Sequence, residues 1–193
     1  RNHLKSLLKT VQNIHTITID AVVAKYGVPE QYYPIITVRL STDWNGVDYT
    51  GGVGGGDAFV TTSWSEANKC VRGFQPPADV REIAGLSLKS WGQNRKIMYR
   101  FYNPATKDYR VSSSTYIPGW VMQQYLGYWL TNNQNVNVKI GTKTRSCLTI
   151  PMYQYYKPSI NRYIVSPNNM VDGWDGWQKT LLGYIVDYNS ITE

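Results

Sequence analysis

The chain has 193 residues, enough for one domain with a real core, and its net charge of +7 and isoelectric point near 9.3 favour an anionic partner without naming one. Two cysteines without a CxxC spacing and two histidines, His3 and His15, near one end leave little for a zinc site or a Ser–His–Asp triad. No apolar run reaches the roughly 18 residues of a membrane-spanning helix, no signal peptide is visible, and no membrane insertion, metal or cofactor is expected.

Sixteen Tyr, seven Trp and many Thr, Val and Ile residues suit pleated sheets, and the charged share is only 17%. Many surface positions must therefore be polar but neutral, as in a β-rich protein with large loops or interfaces.

In chain order, Leu4, Leu7, Leu8 and Val11 follow one helical face. Arg1, Lys5 and Lys9 lie mostly off it, so residues 1–12 read as a basic N-terminal arm or short helix. The first residue is Arg rather than Met, which agrees with more of an arm upstream. Residues 13–26 alternate as a strand, with Ile17, Ile19, Ala21 and Val23 on one face. Residues 34–41 form a second strand with Ile36, Val38 and Leu40 inward.

Residues 42–57 hold a glycine-rich loop, Gly51 to Gly56. No Gly-Lys-Ser/Thr follows it and a strand rather than a helix comes next, so it reads as a surface loop and not a phosphate cradle. Residues 57–64 and 68–74 are short strand candidates, and residues 78–88 have room for a helical turn.

Residues 86–110 carry six cations and one acid, so +5 of the +7 sit there: Lys89, Arg95, Lys96, Arg100, Lys107 and Arg110 against Asp108. Trp91, Tyr99, Phe101, Tyr102 and Tyr109 lie among them. Residues 95–102 fit a strand. Ile97, Tyr99 and Phe101 are expected to enter the core, leaving Lys96, Met98, Arg100 and Tyr102 as a cationic and aromatic surface. With Arg1, Lys5, Lys9, Lys89 and Arg95, that surface is the candidate nucleic-acid site. An ordinary half-buried strand with a solvated basic face reads the same way.

Residues 103–108 are a turn, and 112–114 and 118–119 mark loops. Residues 120–130 read as a strand on their aromatics and Gly127, although helical spacing groups Val121, Tyr125, Tyr128 and Trp129. Residues 136–140 and 142–150 alternate as strands, 151–167 are Tyr- and Pro-rich with little periodicity, and 181–188 close the domain. The loop at 172–177 pairs Asp172 and Asp175 with Trp174 and Trp177, residue types that also serve sugar binding or glycoside chemistry. A surface loop anchored by two Trp residues looks identical. No acid pair or nucleophile with a base stands out, so the chain reads as a binding or structural protein rather than an enzyme.

Eight to ten strands, no long helix and no repeat place residues 13–193 in one all-β domain, an antiparallel sandwich or jelly roll. The layout resembles the capsid proteins of circoviruses and related small single-stranded DNA viruses. The resemblance rests on the strand HTITIDAVVAKY, the segment KSWGQNRKIMYRFYNP, the loop Ile117-Pro118-Gly119-Trp120 leading into an aromatic, glycine-containing strand, and the closing strand 182–188. The long Arg-rich arm of that family is absent from the chain.

The resemblance implies a single jelly roll of about eight strands. It also implies a homo-oligomeric T=1 shell of roughly sixty copies, a virion location with a passage through the host nucleus, and a receptor on the host surface. The basic residues would then face inward onto packaged single-stranded nucleic acid, DNA ahead of RNA. A secreted carbohydrate-binding or adhesin β-sandwich is the alternative, motivated by Trp44, Trp174 and Trp177. Cys70 and Cys147 are expected not to form a required disulfide, because the domain is large enough to do without one.

Overall fold

A computed structural model describes residues 28–39, 58–67, 80–140, 142–167 and 176–187. The expected arm at 1–12, the strands at 13–26 and 68–74, the glycine loop at 42–57, Cys70 and the acids Asp172 and Asp175 lie outside the described residues.

Among the described residues every element but one helical turn is a strand, and every pairing is antiparallel. The all-β antiparallel class holds. Eleven strands are described: β1 (Tyr32–Arg39), β2 (Ala58–Thr61), β3 (Val80–Leu88), β4 (Arg95–Asn103), β5 (Asp108–Ser112), β6 (Val121–Leu130), β7 (Val136–Ile140), β8 (Lys143–Cys147), β9 (Thr149–Lys157), β10 (Arg162–Ser166) and β11 (Gln178–Val186). In hydrogen-bonding terms they make one nine-stranded sheet and a separate β7–β8 hairpin.

The large sheet consists of three ribbons, β2–β1–β3, β5–β4–β6 and β10–β9–β11. They meet through single pairings at one end: Leu88 with Tyr128, Leu86 with Val186, and Tyr184 with Leu130. At the other end, side chains of β5 and β9–β10 join. Gln154 Oε1 accepts from Val111 N at 3.0 Å, and Asp108 Oδ2 accepts from Tyr163 N at 3.0 Å.

The curled sheet therefore wraps one apolar core. Ile35, Val60, Met98, Val111, Leu126, Trp129, Met152, Val165, Leu182 and Ile185 come from all three ribbons. A second cluster joins Tyr32, Leu86, Leu88, Leu130 and Val186 to Val136, Val138 and Cys147 of the β7–β8 hairpin, which covers them. Each buried side chain of this kind contributes about 1.5–3 kcal/mol of transfer free energy.

Bulges decide which side chains go inward. Gly127 has φ +83°, a conformation that favours glycine, where β6 passes an extra residue across from β4 between the pairs Ile97–Tyr128 and Tyr99–Tyr125. A Cβ there would meet Ser87 Oγ at 2.5 Å and Leu88 O at 2.9 Å, so the close approach of β3 also requires Gly. A similar irregularity on β3 sets Ala84 between the pairs Ile36–Ile83 and Ile35–Gly85.

Two local expectations change. Residues 80–88 are a strand, not a helical turn: the bulge at Ala84 breaks the alternation that would have marked it. Residues 151–167 hold most of β9 and all of β10, a hairpin turning at 158–161 with Asn161 at φ +52°. The Tyr residues there fill both faces, which hides the two-residue period.

Candidate nucleic-acid interface

On β4 the alternation is present but its faces are exchanged as far as Arg100, where an irregularity between Arg100 and Phe101 brings Phe101 into the core as expected. Met98 enters the core, and Arg100, two residues on, is inward as well, at 3% exposure. Ile97 and Tyr99 are only half-buried, while Phe101 is buried. Lys96 shares the face of Met98 and runs along β11, its Cε 3.4 Å from where a Cβ on Gly183 would stand. The cationic surface expected from Lys96, Met98, Arg100 and Tyr102 therefore does not form, and Arg100 leaves the candidate site.

A distant partner draws Arg100 inward. Ser63 Oγ accepts from Glu66 N at 3.2 Å, an N-cap for the single helical turn at 64–67. That turn aims Glu66 at β4. Arg100 forms a bidentate ion pair with it, with Nη2 to Oε2 at 2.9 Å, and donates through Nη1 to Val60 O at 2.9 Å and through Nε to Gln123 Oε1 at 3.2 Å. The guanidinium carbon lies 5.3 Å from the Phe59 ring centroid and 5.5 Å from that of Tyr109. Burial pushes the Glu66 carboxyl up, but the Arg100 hydrogen bond and charge, with a bond to Thr61, hold it below the usual carboxylate range. A buried guanidinium with most of its N–H donors committed to protein acceptors is not presented to phosphate.

Lys89 and Arg95 stand differently. They bound the loop that leads from β3 to β4, the two strands being separated in the sheet by β6, and Trp91 lies between them in the sequence at 75% exposure. Arg95 Nη1 donates to Ser90 O at 2.9 Å, Asn94 takes φ +55°, and Asn94 O accepts from Thr131 N at 2.8 Å. Gly92 lies flat on the guanidinium: a Cβ there would be 2.9 Å from Arg95 Cζ. The loop is thus fixed by its own hydrogen bonds and by the end of β6.

Below the loop lies a group of tyrosines. Lys89 Nζ is 4.9 Å from the Tyr33 ring centroid, and the Tyr125 hydroxyl donates to Lys89 O at 3.4 Å. Tyr125 meets Tyr33 edge-on at 5.8 Å, Tyr99 at 6.2 Å and Tyr128 edge-on at 6.2 Å. Burial, then the neighbouring Tyr128, Tyr33 and Tyr99 hydroxyls, push the Tyr125 phenol up to about 12. The Tyr125 phenol therefore stays neutral at physiological pH and does not repel an anion.

Sequence reasoning named Lys89 and Arg95 but not this ring cluster, because Tyr33, Tyr99, Tyr125 and Tyr128 come from three strands that only pairing brings together. One signal was available: residues 83–107 contain no Asp or Glu.

A second cationic–aromatic group was also missed. Arg110 lies 4.7 Å from the Tyr163 ring centroid and 5.5 Å from that of Trp120, and Tyr163 stacks on Tyr156 at 4.5 Å. Arg162 donates to Thr106 O beneath them. Asp108, buried at this seam, accepts from Tyr109 N at 2.8 Å and from Tyr163 N. Burial pushes its carboxyl up to about 7, against those two bonds and the Arg162 and Arg110 charges.

Of the remaining candidates, Arg1, Lys5 and Lys9 lie outside the described residues. Trp177, from the proposed sugar-type loop, is half-buried against Tyr155 and Ile164, with Lys157 Nζ 5.9 Å from its ring centroid, so it lines a wall rather than offering a free ring face. The chain matches no protein-family model, no curated protein and no solved structure.

Proposed function

We propose that this chain is a structural subunit that assembles with copies of itself into a closed shell and binds single-stranded nucleic acid through its basic residues. The observation that carries this reading is a run of large apolar side chains left in water. Tyr116 is 75% exposed, Val121 53% and Met122 40%, in one segment leading from the 113–120 loop into β6. Scattered exposed apolar residues are ordinary, but three such side chains within one short segment are the kind of surface that another protein covers. Aromatic side chains and Met are favoured at such interfaces, and charge is depleted from their centres. The net charge of +7 supports an anionic cargo.

Light scattering coupled to size exclusion, with negative-stain microscopy, tests the reading. A closed particle whose mass is a large multiple of 22.0 kDa is expected. A monomer at all concentrations and ionic strengths overturns it, and favours the carbohydrate-binding sandwich, whose platform would then be Tyr33, Tyr99 and Tyr125.

A further inference from the structure

We propose that Trp91, held out on the β3–β4 loop, is a stacking platform for an unpaired base of single-stranded nucleic acid, with Lys89 and Arg95 neutralising the adjoining phosphates. The inference rests on the nucleic-acid reading above and assigns it a place and a mode of recognition.

An indole at 75% exposure forgoes most of the transfer free energy its burial would supply. Exposure alone would mean little. Here the ring is presented on a loop whose shape is fixed. The Arg95–Ser90 bond closes the turn, the guanidinium lies against Gly92, and the Thr131–Asn94 bond anchors the turn to β6. A preorganised aromatic loses little freedom on meeting a ligand.

The surroundings select the ligand. Lys89 and Arg95 flank Trp91 in the sequence, and no carboxylate occurs from residue 83 to 107. Arg95 spends one N–H on Ser90 O, which leaves the rest of its fork for an anion. The tyrosines beside Lys89 carry further ring faces. Cations alternating with flat rings complement a chain that alternates phosphates with flat bases. In a duplex those base faces are already stacked, so the complement is a single strand. Stacking accepts every base, and the site should show little sequence preference.

The test titrates an oligothymidylate into the full chain and into W91A and W91F, following both affinity and tryptophan fluorescence, with heparin as a polyanion that lacks bases. Trp91 is exposed, so W91A should melt with the parent. We expect oligonucleotide to quench the parent's fluorescence and W91A to lose that increment. Affinity of W91A should fall roughly 5- to 100-fold, with W91F recovering most of it. The salt slope should stay the same, because no phosphate contact is removed. Heparin should bind parent and W91A equally.

If the parent binds oligonucleotide and W91A binds it as tightly with the same quenching, the stacking site is wrong while nucleic-acid binding stands. If W91A loses heparin as much as oligonucleotide, the loop is a general polyanion contact and base stacking is overturned. If the parent binds no oligonucleotide at any ionic strength, the underlying reading falls and this inference with it.

Discussion

Arg100 and the Lys89–Arg95 pair belong to the same 25-residue basic stretch, and each sits beside aromatic rings, yet they face opposite environments. Arg100 lies beside the stacked pair Phe59–Tyr109, buried, with most of its donors taken by Glu66, Val60 O and Gln123. The cations of the β3–β4 loop lie two and four residues from an indole in water. The first arrangement is a way of tolerating a charge in the interior. The second keeps its charges available. A cation among aromatics therefore says nothing about binding until its hydrogen bonds have been accounted for.

The pH dependence of stability should separate the buried charges that are matched from those that are not. Asp108 is the largest expected effect. Its folded pKa, raised to about 7 from 3.8, favours the protonated form in the folded state. Its contribution is full below the unfolded pKa and is lost as pH rises from about 4 to about 7, on the order of 4 kcal/mol at about 1.4 kcal/mol per pH unit. Asp108→Asn removes that titration. The melting temperature of the variant relative to the parent should climb steadily across this window, and a flat difference would contradict the assignment. Glu66 has the opposite sign. Its lowered pKa gives stability above the unfolded value of 4.5, lost as pH falls, so the cost of Glu66→Gln should shrink in acid.

Next in size is Arg100→Met. It leaves a half-buried Glu66 without its cation and takes a donor from Val60 O and Gln123. Removing one partner of a buried pair costs about 3–5 kcal/mol, and the partial exposure of Glu66 puts this case near the lower end. Urea unfolding measures it. A loss within about 0.5 kcal/mol, ordinary for a surface site, would return Arg100 to the surface. Arg100→Lys should rescue little, because an ammonium cannot reproduce the fork. Gly127→Ala follows at about 1–3 kcal/mol, from the positive φ and the approach of Ser87 and Leu88. It tests whether the β6 bulge is what turns Arg100 inward: a repaired register would change the exposure of Tyr99 and Tyr125 together.

Much of the fold was legible. The strands β1, β4, β6, β7 and β11 follow from alternation and aromatic content, and the β4–β5 turn from Asn103, Pro104 and Asp108. What was hidden depends on contacts remote in sequence. Alternation placed Lys96 and Arg100 together correctly, but the side they face is set by Glu66, 34 residues upstream on a one-turn helix. The bulge at Ala84 disguised β3, and Tyr on both faces disguised β9. Of the candidate site, Lys89 and Arg95 were legible as charge, whereas the tyrosines around Tyr125 became neighbours only when β1, β4 and β6 came together.

The smallest effect, and the sharpest contrast with Arg100, is Lys89→Gln. The structural bonds at this residue are made by its backbone: N donates to Gln31 O at 3.0 Å, and O accepts from the Tyr125 hydroxyl. The side chain adds only an exposed cation over the Tyr33 ring, worth about 0.5–1 kcal/mol at most. Stability should therefore change by less than about 1 kcal/mol. Under the proposed function the same substitution removes one phosphate contact. The logarithmic salt slope of oligonucleotide binding should then fall by about 0.7, the value per charge for single strands. Arg100→Met should do the reverse, lowering stability while the slope of the folded protein stays with the parent. Measuring both variants for unfolding and for salt-dependent binding assigns each arm of the comparison to its own observable. A slope that drops for Arg100→Met and not for Lys89→Gln would exchange the two roles, because only a cation reaching phosphate can release counterions when it binds.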